Sequence, residues 1–158
     1  MHSQSPRFKE ISPSEFPWER EAIGFLREGL PDSDPCRLWT NFEFIADDGS
    51  VNEVDALVLT SKGFYLVEIK GRPGAVKGDA ATWIWTHDGR TFTIDNPLLL
   101  ANRKAKKLAG LLKRQTAARN LKPPFLEAKV FLSAEGLDCR MDPPIRLNVH
   151  LRASLSDN

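Results

Sequence analysis

Asp55, Glu68 and Lys70 are the residues whose types and spacing could do chemistry. They lie in the stretch Val51 to Lys70, VNEVDALVLTSKGFYLVEIK. Two alternating runs are joined there by Ser61-Lys62-Gly63, the signature of two strands and a tight turn. If the loop is Ser61-Lys62, Thr60 faces Gly63 and Asp55 lies opposite Glu68. A three-residue loop ending in a bulge at Gly63 would shift the pairing by one. Like charges directly opposite each other destabilise a ladder. Two carboxylates held together more often have a cation between them. Glu68 and Lys70, two apart on one strand, point to the same face. A carboxylate pair with a lysine beside it is, in outline, a metal-dependent phosphodiester-cleaving arrangement.

The cation suited to such a site is hard, Mg²⁺ or Mn²⁺. Mg²⁺ wants carboxylate and carbonyl oxygens at about 2.0–2.1 Å and keeps several waters. Asp55, Glu68 and the backbone carbonyl of Ile69 could supply that shell. Lys70 could position or deprotonate a water, or hold the phosphate. By itself the D-x-n-E-x-K pattern is weak.

The elements that must position these groups can be read in order. Residues 1–16 are a polar stretch, read as a loosely held arm. Pro17 opens a helix that Gly29 and Pro31 close, with Trp18, Ala22, Phe25 and Leu26 as its apolar stripe. Glu21 falls on that stripe, while Glu19 and Arg27 face elsewhere. Glu21 is either salt-bridged to a buried arginine or engaged as a cap, or it is a third acid turned toward Asp55 and Glu68. Arg37 to Ala46 reads as a strand, and Asp47-Asp48-Gly49-Ser50 as a hairpin turn rather than a metal site. Glu53 shares a face with Asp55, as an accessory acid or a solvated strand residue. Hairpin strands follow at 81–86 and 91–94. Their Trp83 and Trp85 share a face and belong to the core more often than to a base-stacking platform. Ala128 to Leu132 and Ile145 to Leu151 read as further strands, with Pro123-Pro124 breaking the chain before them. The expected fold is α/β: a mixed sheet of four or five strands flanked by helices, in one domain over 17–152 with a tail at 153–158.

Asp95-Asn96-Pro97 starts a long helix, whose stripe is Leu98, Ala101, Ala105, Leu108, Leu112 and Gln115. Its other sides are basic, with eight Lys or Arg between Arg103 and Lys122 and no acid between Asp95 and Glu127. A solvated face is the plain reading, but a face of one sign suits a phosphate backbone. The candidate nucleic-acid contacts are Arg72, Arg103, Lys104, Lys106, Lys107, Lys113 and Arg114.

Composition narrows the class. With 158 residues, 41% hydrophobic and 27% charged, and a net charge of +1, the chain suits one ordinary domain. It carries no apolar run long enough for a membrane span and no secretory h-region. Cys36 and Cys139 read as reduced thiols of a cytoplasmic protein, and His2, His87 and His150 lack zinc-ligand spacing.

From Trp18 to Leu132 the sequence resembles the NERD (nuclease-related) domains of the PD-(D/E)xK, restriction-endonuclease-like superfamily. The resemblance rests on Glu21, on NEVDALVLTSKGFYLVEIKG and on Asn96-Pro97. It implies a restriction-endonuclease-like core, Asp55 and Glu68 as metal ligands, Lys70 as the catalytic lysine and Glu21 as the helix-borne acid. Many members carry glutamine three residues after the N-P pair, where this chain has Leu100; Asn102 or Lys104 are the candidate substitutes. NPLLLANRKAKKL is most similar to NERD domains that precede the kinase in BREX/Pgl phage-defence serine/threonine kinases. No kinase motif stands in these residues.

The first functional reading is a Mg²⁺-dependent nuclease acting on DNA, in phage defence or DNA processing. The second is a silent DNA-binding or regulatory module of a larger defence protein, with a kinase or other domain following. The third is an α/β interaction domain whose acids form ordinary ion pairs. A homodimer is left open.

Overall fold

The hairpin at the centre of the chain forms with the two-residue loop. Thr60 donates its N–H to the Gly63 carbonyl (2.8 Å), and Leu59 pairs with Phe64, Val58 with Tyr65, Leu57 with Leu66 and Ala56 with Val67. Its strands sit in the middle of a mixed sheet in a computed structural model that describes residues 1–122 and 124–156.

In chain order the elements are β1 (Phe8–Glu10), α1 (Pro17–Gly29), β2 (Arg37–Ile45), β3 (Val51–Leu59), β4 (Phe64–Lys70), β5 (Ala75–Gly78), β6 (Thr82–His87) and β7 (Arg90–Asp95). Then come α2 (Pro97–Lys113), a 3-10 turn (Thr116–Ala118), β8 (Leu126–Leu132), β9 (Asp138–Met141), α3 (Pro143–Arg146), β10 (Val149–Leu151) and α4 (Arg152–Ser156). The main sheet has the order β1-β2-β3-β4-β8-β10. β2, β3 and β4 run antiparallel, and β8 joins β4 in parallel. A second sheet has the order β7-β6-β5-β9. The chain is thus α/β with a central mixed sheet flanked by helices, but its strands divide between two sheets rather than one of four or five.

One face of the main sheet packs Leu38, Ala56, Val58, Val67 and Ile69 against Ala22 and Ile23 of α1. The other packs Leu57, Leu66 and Ala128 against Ala101, Ala105 and Leu108 of α2. The helices therefore clamp the hairpin from both sides. β4 is buried on both faces, as expected for a strand whose parallel neighbour holds it mid-sheet.

Several sequence expectations change. The first sixteen residues include β1, which pairs in parallel with β2. Met1 is buried in the α1-side core, and its amino group bonds the Leu30 carbonyl. The basic helix ends at Lys113, so Gln115, the last residue of the expected stripe, lies beyond it. Ile145 and Arg146 are not strand: Pro143 opens a helical turn that follows Asp142, and only Val149–Leu151 pair with β8. Trp83 and Trp85 are core residues, 0% and 1% exposed. Pro123, Asp157 and Asn158, which bear on the expected chain break and tail, lie outside the described residues. Among the described residues no helix is long and apolar enough to cross a membrane.

Candidate active site

The β3–β4 ladder ends at Ala56 and Val67. Continued by one more hydrogen-bonded pair, it would set the Ile69 N–H against the main chain of Val54. Instead Ile69 donates that N–H to Asp55 Oδ2, at 2.8 Å. A side chain replaces a rung, so the strands diverge and open a notch between them. The β2 side is broken too. The residue facing Asp55 there is Asn41, which drops out of the ladder with φ at 52°. Asparagine is among the few residues that take this left-handed conformation readily. Its Nδ2 is buried without a hydrogen-bond partner. Asp55 thus sits where pairing fails on both flanks.

Glu68 faces the notch from β4 and is 8% exposed. Two ammonium groups hold it. Lys70 Nζ lies 3.5 Å from Oε1, and Lys104 Nζ lies 3.5 Å from Oε2. Burial pushes the Asp55 carboxyl up to about 7, and the Glu68 charge adds to that rise. The Ile69 hydrogen bond and the Lys104 charge oppose it without cancelling it. A carboxylate shifted this far by burial and a like charge is what functional sites tend to show.

Glu19, half-buried on α1, is the acid of that helix whose charge bears on Asp55. Its charge contributes to the raised Asp55 carboxyl, and its Oε2 accepts from Ser14 Oγ at 2.5 Å. Glu21 is instead exposed and accepts from Arg152 at 2.5 Å, so it does not lie on a buried face turned toward Asp55 and Glu68. Ile23 explains the difference. It is 4% exposed and belongs to the stripe, which centres on Ala22 and Ile23. Glu19 precedes them by three and four residues and shares their face. Including Ile23 in the stripe would have selected Glu19. The start of α1 is fixed by Trp18, whose ring lies so close to Gly71 that a Cβ there would stand 2.3 Å from Trp18 Cε3.

Lys104, expected both among the nucleic-acid contacts and as a candidate substitute for the missing glutamine, lies beside Glu68. It is 9% exposed and buried against Glu68, not on a face offered to phosphate. Its place was legible, since Ala101, Lys104, Ala105 and Leu108 follow helical spacing on one side. Leu100 is exposed, so Lys104 is the α2 residue that reaches Glu68. Asn96 anchors the helix start: its Oδ1 accepts from the Leu98 N–H at 2.9 Å, and its Nδ2 donates to the Ala80 carbonyl at 3.1 Å.

The other basic candidates divide. Lys107 pairs with Asp48 (3.1 Å) and Arg114 with Asp47 (2.5 Å), so both are partly neutralised by the β2–β3 turn. Arg103, Lys106 and Lys113 are exposed. Arg72 is exposed beside the notch, its guanidinium 3.9 Å from the centre of the Phe92 ring. Glu53 is exposed and paired with Glu43 on β2, a solvated position.

Among the described residues no three His, Cys, Asp or Glu side chains group closely enough to enclose a metal. The donors at the notch are two carboxylates and the main chain at Ile69. That set is hard and oxygen-based, and it suits an ion that keeps part of its water shell.

The family model for the nuclease-related domain, NERD, matches residues 14–133. The chain is also similar to a curated protein of Streptomyces coelicolor A3(2) named "Probable kinase PglW", with 46% identity over 114 residues. The match covers 72% of this chain but 7% of that protein, so the chain spans a small part of its relative's length. No solved structure matches.

Proposed function

Because the chain belongs to the nuclease-related (NERD) domain family, we propose that its notch is a metal-dependent phosphodiesterase site acting on DNA. The observation that carries this reading is the meeting of Asp55 and Glu68 where β3 and β4 diverge, with Lys70 on Glu68. Asp55 and Glu68 are the side chains that would hold Mg²⁺ or Mn²⁺, with the Ile69 carbonyl as the main-chain donor. Once bound, the ion would stabilise charge on the phosphate and lower the pKa of a coordinated water. Lys70, half-exposed at the notch, holds a phosphate oxygen or relays the proton of the attacking water. Glu68 keeps Lys70 oriented. Lys104 balances the buried charge from below, and Glu19 adds negative potential from α1. Arg72 and the exposed Arg103, Lys106 and Lys113 supply cations for the flanking backbone.

The test is incubation of the purified chain with labelled duplex and single-stranded DNA, with and without Mn²⁺. Metal-dependent cleavage that Asp55→Ala abolishes supports the reading. Absence of cleavage on every substrate overturns it.

Lys104 favours a second reading. Its ammonium already supplies Glu68 with a cation from within the chain. On that reading the domain binds nucleic acid without cutting it and serves a larger protein, for which the kinase named as its relative offers a parallel. DNA binding that is unchanged by Mn²⁺, with no cleavage, would support it.

A further inference from the structure

We propose that the cleft beside Lys70 receives one unstacked base of a single-stranded nucleic acid, so that the substrate is a single strand or frayed end rather than an intact duplex. The proposal rests on the nucleic-acid reading above and specifies its substrate. The cleft has a volume of about 390 Å³, within the range of small-ligand sites. The main sheet gives one wall, with Lys70 and Gly71 at the end of β4. The second sheet gives the other, with Phe92 and Ile94 of β7. The cleft therefore shares Ile69 and Lys70 with the proposed cleavage site.

Its surface has the chemistry of a nucleotide site. Trp18 lines it and is 41% exposed. Phe16, 53% exposed, stacks on Trp18 with ring centres 5.9 Å apart. Two large rings are thus left in water beside two cations. Across the cleft, Arg72 lies close enough on Phe92 to present a guanidinium, 3.9 Å from the ring centre. Aromatic faces with nearby cations are the platform that unpaired bases use, with the phosphate following the charge. A base inside a duplex is already stacked on both sides and has no face to offer. Trp85 closes the floor; its Nε1 is committed to the Pro73 carbonyl at 2.9 Å.

The experiment is a fluorescence titration of the chain in EDTA, which removes divalent ions and separates binding from cleavage. The probes are a short oligothymidylate and a blunt duplex of the same length. The expected result is quenched tryptophan emission and single-strand affinity about tenfold above that for duplex. Phe16→Ala should weaken single-strand binding about fivefold and leave duplex binding unchanged, whereas Arg72→Ala, which also removes a backbone cation, should weaken both and single-strand binding the more. An oligonucleotide in which every sugar lacks its base runs the same test on the unaltered chain, and it should bind no better than duplex. Equal affinity for single strand and duplex, undiminished binding of the base-free strand, or no binding at all overturns the proposal. A parallel incubation with Mn²⁺ keeps the two readings apart. Cleavage without single-strand preference removes this inference alone, and single-strand binding without cleavage removes the nuclease reading alone.

Discussion

Lys104 Nζ stands 3.5 Å from Glu68 Oε2, the same distance at which Lys70 reaches Oε1. The two lysines differ in setting. Lys70 is 38% exposed in its side chain, whereas Lys104 is 11% exposed and comes from α2. One ammonium can turn outward to a substrate, and the other cannot leave without stranding a buried carboxylate. Lys104→Met should therefore destabilise the fold by about 2 kcal/mol, below the usual loss for a broken buried pair because Lys70 remains. Urea unfolding measures it. The same change removes a positive charge from the notch. On the metal reading, Mn²⁺ affinity measured by calorimetry should rise; a fall would show that Lys104 holds Glu68 in place for the ion.

Asp55 gives a pH prediction. Its carboxyl is raised from 3.8 to about 7 in the folded chain, chiefly by burial and then by Glu68. Between those values the folded state binds a proton that the unfolded state has released. Stability then falls as pH rises from about 4 to about 7 and levels off above. Asp55→Asn keeps an oxygen for the Ile69 N–H but carries no charge. Its stability should lack this downward slope and exceed that of the parent at pH 8 by a few kcal/mol at most. Thermal unfolding across pH 4 to 8 tests it; parallel curves for the two proteins would refute the raised carboxyl.

Glu19 and Glu21 lie two residues apart on α1 and have different partners, Ser14 and Arg152. Glu19→Gln removes a charge that raises Asp55, so the Asp55 titration should move down. It also weakens the Ser14 contact that fixes the start of α1. Glu21→Gln loses an exposed partner of Arg152 and should change stability by roughly 0.5 kcal/mol or less. NMR titration of the Asp55 carboxyl in both variants is the measurement. Equal effects would return Glu21 to the site.

Gly71→Ala addresses the junction of α1 with β4. The new Cβ would stand 2.3 Å from Trp18 Cε3 and 2.8 Å from Cδ2, so the ring has to move. Overpacking of this kind costs about 1–3 kcal/mol. Trp18 would lose its place beside Lys70, and its emission should shift toward that of a solvated indole.

The hairpin and the placing of Asp55, Glu68 and Lys70 on its two strands were legible from alternation and turn residues, while the choice between a two-residue and a bulged loop was not; the Thr60–Gly63 hydrogen bond decides it. Alternation and turn residues are local information. The Asn41 break and the Ile69 N–H on Asp55 were not legible, since they depend on how β2 and β4 part from β3. The second sheet was hidden for a related reason. β5 and β9 have four residues each and pair in parallel across some sixty residues of chain, too short to show alternation. Glu19 was obscured by a stripe that left out Ile23. Lys104 was visible in the helical spacing, but a basic run reads as surface until one member is found buried.

The α2 face makes the last prediction, because its basic residues are not equivalent. Lys107 and Arg114 already face Asp48 and Asp47, and burial by the hairpin turn leaves Lys107 only 34% exposed in its side chain. Arg103 and Lys106 are exposed and make no ion pair among the described residues. Releasing counterions from DNA requires cations free to meet phosphate. Arg103→Gln with Lys106→Gln should weaken DNA binding and flatten the plot of log affinity against log salt by about one unit for each phosphate no longer neutralised. Lys107→Gln with Arg114→Gln should change that slope less, because each substitution leaves an unpaired aspartate that repels the phosphates. Its main effect should be a uniform drop in affinity at low salt that fades as salt rises. Titrations at several salt concentrations distinguish the two, and identical slopes for both double variants and the parent would take α2 out of the nucleic-acid interface.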